Sequence, residues 1–252
     1  EMLHRMGQTL PRAAAVVINS FEDLSVACVS ELRSRLKMVL NVGPLVLTSP
    51  NPTMTDPHGC LDWLNQQVQR SSVIYICFGS VINLPGHEQE ALAQALEESE
   101  IPFMWTIKGQ LEGKLSKGFL ERTKGKGIVV PWAPQFEVLK HRATGAFLTH
   151  SGWNSVMESM TAGVPMICRP FFADQPLNAK IVESTFRIGT TIDGGVINKV
   201  SAIKAMKLVF SSNEGRNMRN RAQELSSLAY KAANPNGSSS VNFKVLSKIA
   251  VV

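Results

Sequence analysis

Short apolar runs alternate with segments of helical periodicity along most of this chain. Each run holds only a few residues, which is typical of a strand, whereas residues 88–98 and 153–161 repeat their apolar positions every three or four residues. Buried strands separated by helices form a parallel sheet that is covered on both faces. We therefore predict an α/β fold with a doubly wound, Rossmann-like parallel sheet. The predicted strands are residues 14–18, 39–42, 73–78, 103–107, 128–130, 146–149 and 165–168.

One stretch interrupts this alternation. Residues 48–59, TSPNPTMTDPHG, contain three prolines and no apolar periodicity, which is typical of a linker between domains. We predict that residues 1–47 are the end of one domain and that residues 60–252 form a second domain. From residue 198 onward the pattern is helical. Because the chain starts at Glu1, inside what reads as an element already under way, we expect it to be a fragment.

Composition narrows the class of protein. The net charge is +6 over 252 residues, but the basic residues are scattered, which favours a solvated basic face over a nucleic-acid site. The four cysteines have no paired spacing, which indicates a reducing compartment and argues against disulfides or a zinc site. No apolar run is long enough to span a bilayer, and no signal peptide is recognisable. We expect a cytoplasmic monomer without a bound metal or cofactor and without membrane insertion.

The sequence HSGWNSVME, residues 150–158, directly follows a predicted strand. In doubly wound sheets ligands bind where the strands end, and the next helix points its first backbone amides at them. A diphosphate would meet those amides together with His150, Asn154 and Ser155. The alternative is a capping box, in which Ser155 and Glu158 satisfy the amides of their own helix.

Two flanking stretches point the same way. Trp132 follows the strand at residues 128–130, where an indole could stack on a planar base; the alternative is a core tryptophan. Asp174 and Gln175 follow the strand at residues 165–168 and have the acceptor and donor groups that sugar hydroxyls need. The alternative for Asp174 is a helix N-cap. Together these stretches favour a nucleotide or sugar ligand, while the structural alternatives stay open on the residues alone.

The stretch from Trp132 to Gln175, WAPQFEVLKHRATGAFLTHSGWNSVMESMTAGVPMICRPFFADQ, resembles the signature box of plant family 1 UDP-glycosyltransferases. The resemblance continues through INSFEDL, CLDWLNQQ, SVIYICFGS and PNGSSSVNF, so it covers the whole chain. DPHGCL, GFLERTKGKG and VPMICRPFFADQ are most similar to the flavonoid and anthocyanidin 3-O-glucosyltransferases. The resemblance implies a GT-B fold, of which this chain is the C-terminal donor domain and the end of the N-terminal acceptor domain.

The resemblance also implies a role for each residue of the box. Trp132 would stack on uracil, Ala133 would contact it through the backbone, and Gln135 and Glu158 would hold the ribose. The diphosphate would be bound by His150, Asn154, Ser155 and Ser80. The glucose would be held by Trp153, Asp174 and Gln175. The sequence departs from the family pattern at Ser151, where a cysteine is usual, and at Cys77, where a serine is common.

By resemblance, the full enzyme transfers glucose from UDP-glucose to a flavonol or anthocyanidin hydroxyl, with inversion and without a metal. Its histidine base belongs to the N-terminal domain, so we expect no catalytic base within this chain. Two alternatives stay open: an acceptor of another phenolic or terpenoid class, and a nucleotide-binding module without catalytic activity. A nicotinamide-dependent reductase is disfavoured because no glycine fingerprint follows any predicted strand.

Overall fold

The computed structural model of the chain describes residues 2–48, 55–80, 82–109 and 115–249. The chain divides into two compact units. The first contains residues 1–52 and 225–252, and the second contains residues 53–224. The division falls within the predicted linker at residues 48–59, of which residues 49–54 lie outside the described part.

The first unit contains a small parallel sheet. Its elements begin with α1 (Met2–Thr9), β1 (Val16–Ile18), α2 (Val26–Arg35), β2 (Val39–Asn41) and α3 (Leu45–Thr48), with single 3₁₀ turns at Leu10–Arg12 and Glu22–Leu24. The strands β1 and β2 pair in parallel, with Val17 opposite Leu40. Two of the predicted strands are therefore present, each shorter than its apolar run.

The second unit is built on a six-stranded parallel sheet in the order β5-β4-β3-β6-β7-β8. The strands are β3 (Val73–Cys77), β4 (Phe103–Thr106), β5 (Gly127–Val130), β6 (Thr144–Thr149), β7 (Met166–Cys168) and β8 (Gly189–Thr191). The helices are α4 (Cys60–Asn65), α5 (Gly86–Ser99), α6 (Phe119–Arg122), α7 (Gln135–Lys140), α8 (Trp153–Ala162), α9 (Gln175–Lys180) and α10 (Lys199–Ser211), with a π-helical turn at Ile181–Phe186 and a 3₁₀ turn at Asp193–Gly195. The doubly wound α/β prediction is confirmed.

The core of the second unit lies on both sides of this sheet. Side chains of successive strand residues point to opposite faces, so Ile76 and Trp105 join one apolar cluster while Tyr75 stacks on Phe147, with ring centroids 5.1 Å apart. The whole of β6 is buried. Burial on both faces is the reason that these strands read as continuous apolar runs.

The two helices that end the chain belong partly to the first unit. Helix α11 (Asn213–Ala233) begins in the second unit, whereas its residues from Leu225 and the helix α12 (Ser238–Ile249) group with the first. Within that unit, the Asn242 amide nitrogen donates to the Asn41 backbone oxygen at 2.9 Å. The grouping thus differs from the continuous division at residue 60 that the sequence indicated. Among the described helices, none is both long and apolar enough to cross a bilayer.

Candidate functional site

A cleft of about 710 Å³ lies at the carboxyl edge of the second unit's sheet. The central strand β3 has β4 on one side and β6 on the other, so the chain reverses its direction of winding there, which is where doubly wound sheets bind ligands. Most of the predicted site residues line this cleft. They are Ser80, Trp132, Ala133, Gln135, His150, Asn154, Ser155 and Gln175. Trp153, Glu158 and Asp174 lie outside its lining.

His150, at the end of β6, is held between two glycines. A Cβ added at Gly79 would lie 2.9 Å from the His150 Cε1, and one added at Gly152 would lie 2.5 Å from the Nε2. Gly79 also has a φ of +81°, so the loop after β3 needs glycine for both its conformation and this close approach. The glycines therefore fix the position of the imidazole at the floor of the cleft.

The electrostatics of His150 favour a neutral ring. Burial lowers the pKa of His150, and the carboxylate of Asp174 opposes that shift only in part. A neutral imidazole has one N–H donor and one acceptor nitrogen. Near neutral pH His150 can therefore donate a single hydrogen bond to an anionic ligand.

Helix α8 begins beside His150 without a side-chain cap. Gly152 occupies the N-cap position, where no side chain bonds to the first amides, and the helix runs ten residues. Ser155 lies inside the helix, and both Ser155 and Glu158 are bonded elsewhere. The capping-box alternative is therefore wrong. Since Asn154 and Ser155 line the cleft, the positive end of the helix dipole is available to an anion there.

Gln135 joins helix α7 to helix α8. Its amide nitrogen donates to the Glu158 Oε2 at 2.7 Å and to the Ser155 Oγ at 3.2 Å. Burial raises the pKa of Glu158, and the hydrogen bond from Gln135 opposes that shift. The pair places the amide of Gln135, which lines the cleft, next to the carboxylate of Glu158, a combination that can both donate to and accept from neighbouring hydroxyl groups.

Trp132 follows the end of β5 and leaves 49% of its surface exposed. An indole with that much open surface is not a core side chain, so the core alternative for Trp132 is wrong. The neighbouring Ala133 is buried and also lines the cleft. One wall of the cleft thus offers an aromatic face suited to stacking on a planar ring.

Asp174 and Gln175 lie where the loop after β7 meets α9: Asp174 ends the loop, and Gln175 is the first residue of the helix. Asp174 occupies the N-cap position of α9 but its side chain makes no capping bond, so the N-cap alternative is wrong. Its Oδ2 instead accepts from the Asn178 amide nitrogen at 2.8 Å, and the same nitrogen donates to the Ser151 backbone oxygen at 3.0 Å. Asn178 therefore links the Asp174 loop to the loop that holds His150.

Gln175 is buried, and its side-chain oxygen accepts from two backbone amides of the loop that precedes its helix. Those amides are Phe171 N at 2.9 Å and Phe172 N at 3.2 Å. The amide oxygen is thereby committed to the loop, which orients the Gln175 side chain at the cleft. This arrangement was not predicted from the sequence.

Further residues of the lining were not singled out from the sequence. Thr106, at the end of β4, donates to the Ile76 backbone oxygen at 3.0 Å, and Lys108 donates through Nζ to the Ser80 backbone oxygen at 2.8 Å. Lys108 directly follows the predicted strand at residues 103–107 and Thr106 lies near its end, so the strand-end rule could have found them. Phe172, 54% exposed at another wall, carries no such signal. Among the described residues, no three His, Cys, Asp or Glu side chains form a metal-binding group.

Comparison with known proteins identifies relatives along nearly the whole chain. The sequence profile of a family described as UDP-glucoronosyl and UDP-glucosyl transferase matches residues 38–231. A flavonoid 3-O-glucosyltransferase of Medicago truncatula is 52% identical over 98% of this chain, which spans 54% of that protein. An anthocyanidin 3-O-glucosyltransferase of Manihot esculenta is 49% identical over 99% of this chain, which spans 86% of it.

The fold has a similar counterpart among solved structures. The crystal structure of a UDP-glucose:anthocyanidin 3-O-glucosyltransferase in complex with UDP superposes with a TM-score of 0.92 at 40% identity, over 98% of this chain and 55% of that one. This likeness supports the GT-B class predicted for the fold. The chain spans about half the length of most of the curated relatives it matches.

Proposed function

Because this chain belongs to the UDP-glucoronosyl and UDP-glucosyl transferase family, we propose that it is the donor-binding part of a UDP-glucose-dependent glycosyltransferase. The acceptor is a flavonol or anthocyanidin, and the reacting group is its 3-hydroxyl. The names of the relatives support this choice of donor and acceptor. The observation that carries the proposal is the cleft itself, which brings an exposed indole, a half-buried histidine and the Gln175 amide to one edge of the sheet.

Residues in the cleft lining and next to it suit the successive parts of UDP-glucose. Trp132 stacks on the uracil, and the Gln135–Glu158 pair holds the ribose hydroxyls. His150 and the first amides of α8 bind the diphosphate. Asp174 and Gln175, with Trp153, hold the glucose hydroxyls. Hydrogen bonds to a charged group contribute about 1.5–3 kcal/mol each, so the diphosphate provides much of the affinity.

The same contacts assist the reaction. When the anomeric carbon of glucose accepts the attacking oxygen, its bond to the diphosphate breaks and negative charge develops on the leaving UDP. Donors fixed in advance stabilise that charge without reorganising. A neutral His150 and the positive end of α8 supply this stabilisation, so a metal is not required. We place the base that deprotonates the acceptor in the part of the relatives that this chain does not span.

Calorimetric titration of the chain with UDP-glucose, NADPH and an oligonucleotide tests the binding role. We expect binding of UDP-glucose alone. Binding of NADPH instead would favour a reductase, and binding of the oligonucleotide would favour a nucleic-acid module.

Incubation with UDP-glucose and a flavonol or anthocyanidin, followed by mass spectrometry, tests where catalysis takes place. We expect no glucoside, because a missing base costs about 10²–10⁴ in rate. A missing acceptor site also removes positioning worth about 7–11 kcal/mol of barrier. Product at enzymatic rates would show that residues 1–252 contain the base.

A further inference from the structure

A buried ion pair lies behind the loop that leads to Asp174 and Gln175. Arg169 directly follows β7, and Glu88 lies in the first turn of α5. The Arg169 guanidinium donates two hydrogen bonds to the Glu88 carboxylate, from Nε to Oε2 at 2.9 Å and from a terminal nitrogen to Oε1. The Glu88 side chain is 1% exposed, and that of Arg169 is 10% exposed. The Ile197 backbone amide also donates to the Glu88 Oε2, at 2.7 Å.

The guanidinium of Arg169 continues into the loop. One terminal nitrogen donates to the Pro170 backbone oxygen at 2.8 Å, and the guanidinium carbon lies 3.8 Å from the centroid of the Phe171 ring. The Phe171 ring in turn meets Phe78 edge-on, at a centroid distance of 6.0 Å. Since Phe78 and Gly79 line the cleft, Phe171 is fixed between the ion pair and the cleft wall.

Phe171 connects this network to Gln175. The Phe171 backbone amide donates to the Gln175 Oε1, so the position of residue 171 sets the position of the Gln175 amide group. A continuous path of contacts therefore runs from Glu88 through Arg169 and Phe171 to Gln175. None of the first three residues needs to touch a ligand for this path to act.

A buried ion pair is poor evidence for stability, because removing two charges from water offsets most of their attraction. Replacing both partners of such a pair is often neutral for stability, whereas removing one partner leaves a buried charge unpaired. Arg169 contacts the loop after β7 through Pro170 and Phe171, while Glu88 also accepts from the Ile197 amide. These contacts favour a role of the ion pair in positioning the loop over a role in stabilising the fold.

We propose that Glu88 and Arg169 are positioning residues that hold the Asp174–Gln175 loop in the geometry that recognises the donor's sugar. The inference rests on the proposed function, because it takes the sugar of a nucleotide-sugar as the ligand of that loop. Loss of the pair therefore weakens binding of the sugar-bearing nucleotide more than binding of the nucleotide alone. A merely structural pair would change the two affinities alike.

The test is a double variant, Glu88→Gln with Arg169→Met, titrated with UDP-glucose and with UDP. It removes both charges together and keeps a side-chain oxygen for the Ile197 amide. We expect the dissociation constant for UDP-glucose to rise about three- to tenfold, as for the loss of one neutral hydrogen bond, and that for UDP to change less than twofold. The melting temperature, measured on the same samples, reports the fold.

The matched control is Glu97→Gln with Arg122→Met. These residues form the same bidentate pair in the same unit, at 2.8 and 3.1 Å, but their side chains are 28% and 49% exposed and neither lines the cleft. We expect both affinities to stay within twofold.

If the first double variant fails to fold, Phe171→Leu interrupts the path of contacts without changing the charges. The same selective loss of UDP-glucose affinity is expected for this variant.

Two results would overturn the inference. If the parent chain binds both ligands and the variants shift the two dissociation constants equally, or shift neither, the pair does not position the loop while the proposed function stands. If the parent chain binds neither UDP nor UDP-glucose, the proposed function fails and the inference fails with it.

Discussion

Gly79→Ala places a methyl group against the ring of His150. The added Cβ would lie 2.9 Å from the Cε1 and 3.0 Å from the Nε2. Carbon atoms in contact prefer about 3.5–4.0 Å, so the ring must move by roughly 0.5–1 Å. In addition, the φ of +81° costs an alanine about 1–2 kcal/mol of backbone strain.

Two effects follow from these magnitudes. The free energy of unfolding should fall by at least that 1–2 kcal/mol of backbone strain. A displaced His150 should also lose its hydrogen bond to the diphosphate, worth about 1.5–3 kcal/mol, so UDP should bind about ten- to a hundredfold more weakly. Denaturant unfolding measures the first effect and calorimetry the second.

Gly125→Ala is the control for backbone strain. Gly125 has a φ of +80°, and a Cβ there would meet no atom within 4 Å. We expect a similar loss of stability and unchanged UDP affinity. If Gly79→Ala also left UDP affinity unchanged, the imidazole would not bind the diphosphate, and the assignment of His150 would be refuted.

The remaining predictions concern Trp132, Gln175 and Glu158. Trp132→Ala should weaken UDP binding by about 1–3 kcal/mol through lost stacking, and an unchanged affinity in calorimetry would remove the indole from the uracil site. Gln175→His should alter the preference between UDP-glucose and UDP-galactose while UDP affinity stays nearly constant; loss of UDP affinity with no change in sugar preference would contradict the role of Gln175. UDP-glucose affinity should fall as Glu158 takes up a proton, at a higher pH than for an exposed glutamate, because burial raises the pKa of Glu158. A raised pKa also means that the Glu158 carboxylate destabilises the fold at pH values above the pKa of glutamate in the unfolded chain. Glu158→Gln should therefore remove the contribution of this group to the pH dependence of stability and increase the free energy of unfolding at pH 7. A lower free energy of unfolding would contradict the argument.

The strands and helices were largely predictable because their signals are local. The seven predicted runs all contain strands, and the helices at 88–98 and 153–161 extend by no more than two residues beyond their predicted ends. β8 was missed, since Gly189–Thr191 begins with glycine and contains no large apolar residue. A strand so short and polar has no periodicity from which it could be recognised.

The sequence also predicted that residues following different strands come together at one site. Parallel strands end at one edge of a sheet, so residues in the segments that follow β5, β6 and β7 can lie near one another. The sequence could not assign their partners. Ser155 and Glu158 fit a capping box by spacing alone, yet both accept from Gln135, some twenty positions earlier in the chain.

The sequence by itself determined the fold class, most of the elements and the residues that follow each strand, because periodicity and strand-end position depend on near neighbours. Only the tertiary structure decided that Arg169 meets Glu88 across 81 positions, that Gly79 packs against His150, and that residues 225–252 group with the first unit. These contacts join segments that are distant in sequence. Their geometry depends on how whole elements pack, since side chains buried between elements must fill the space without voids and satisfy every polar group.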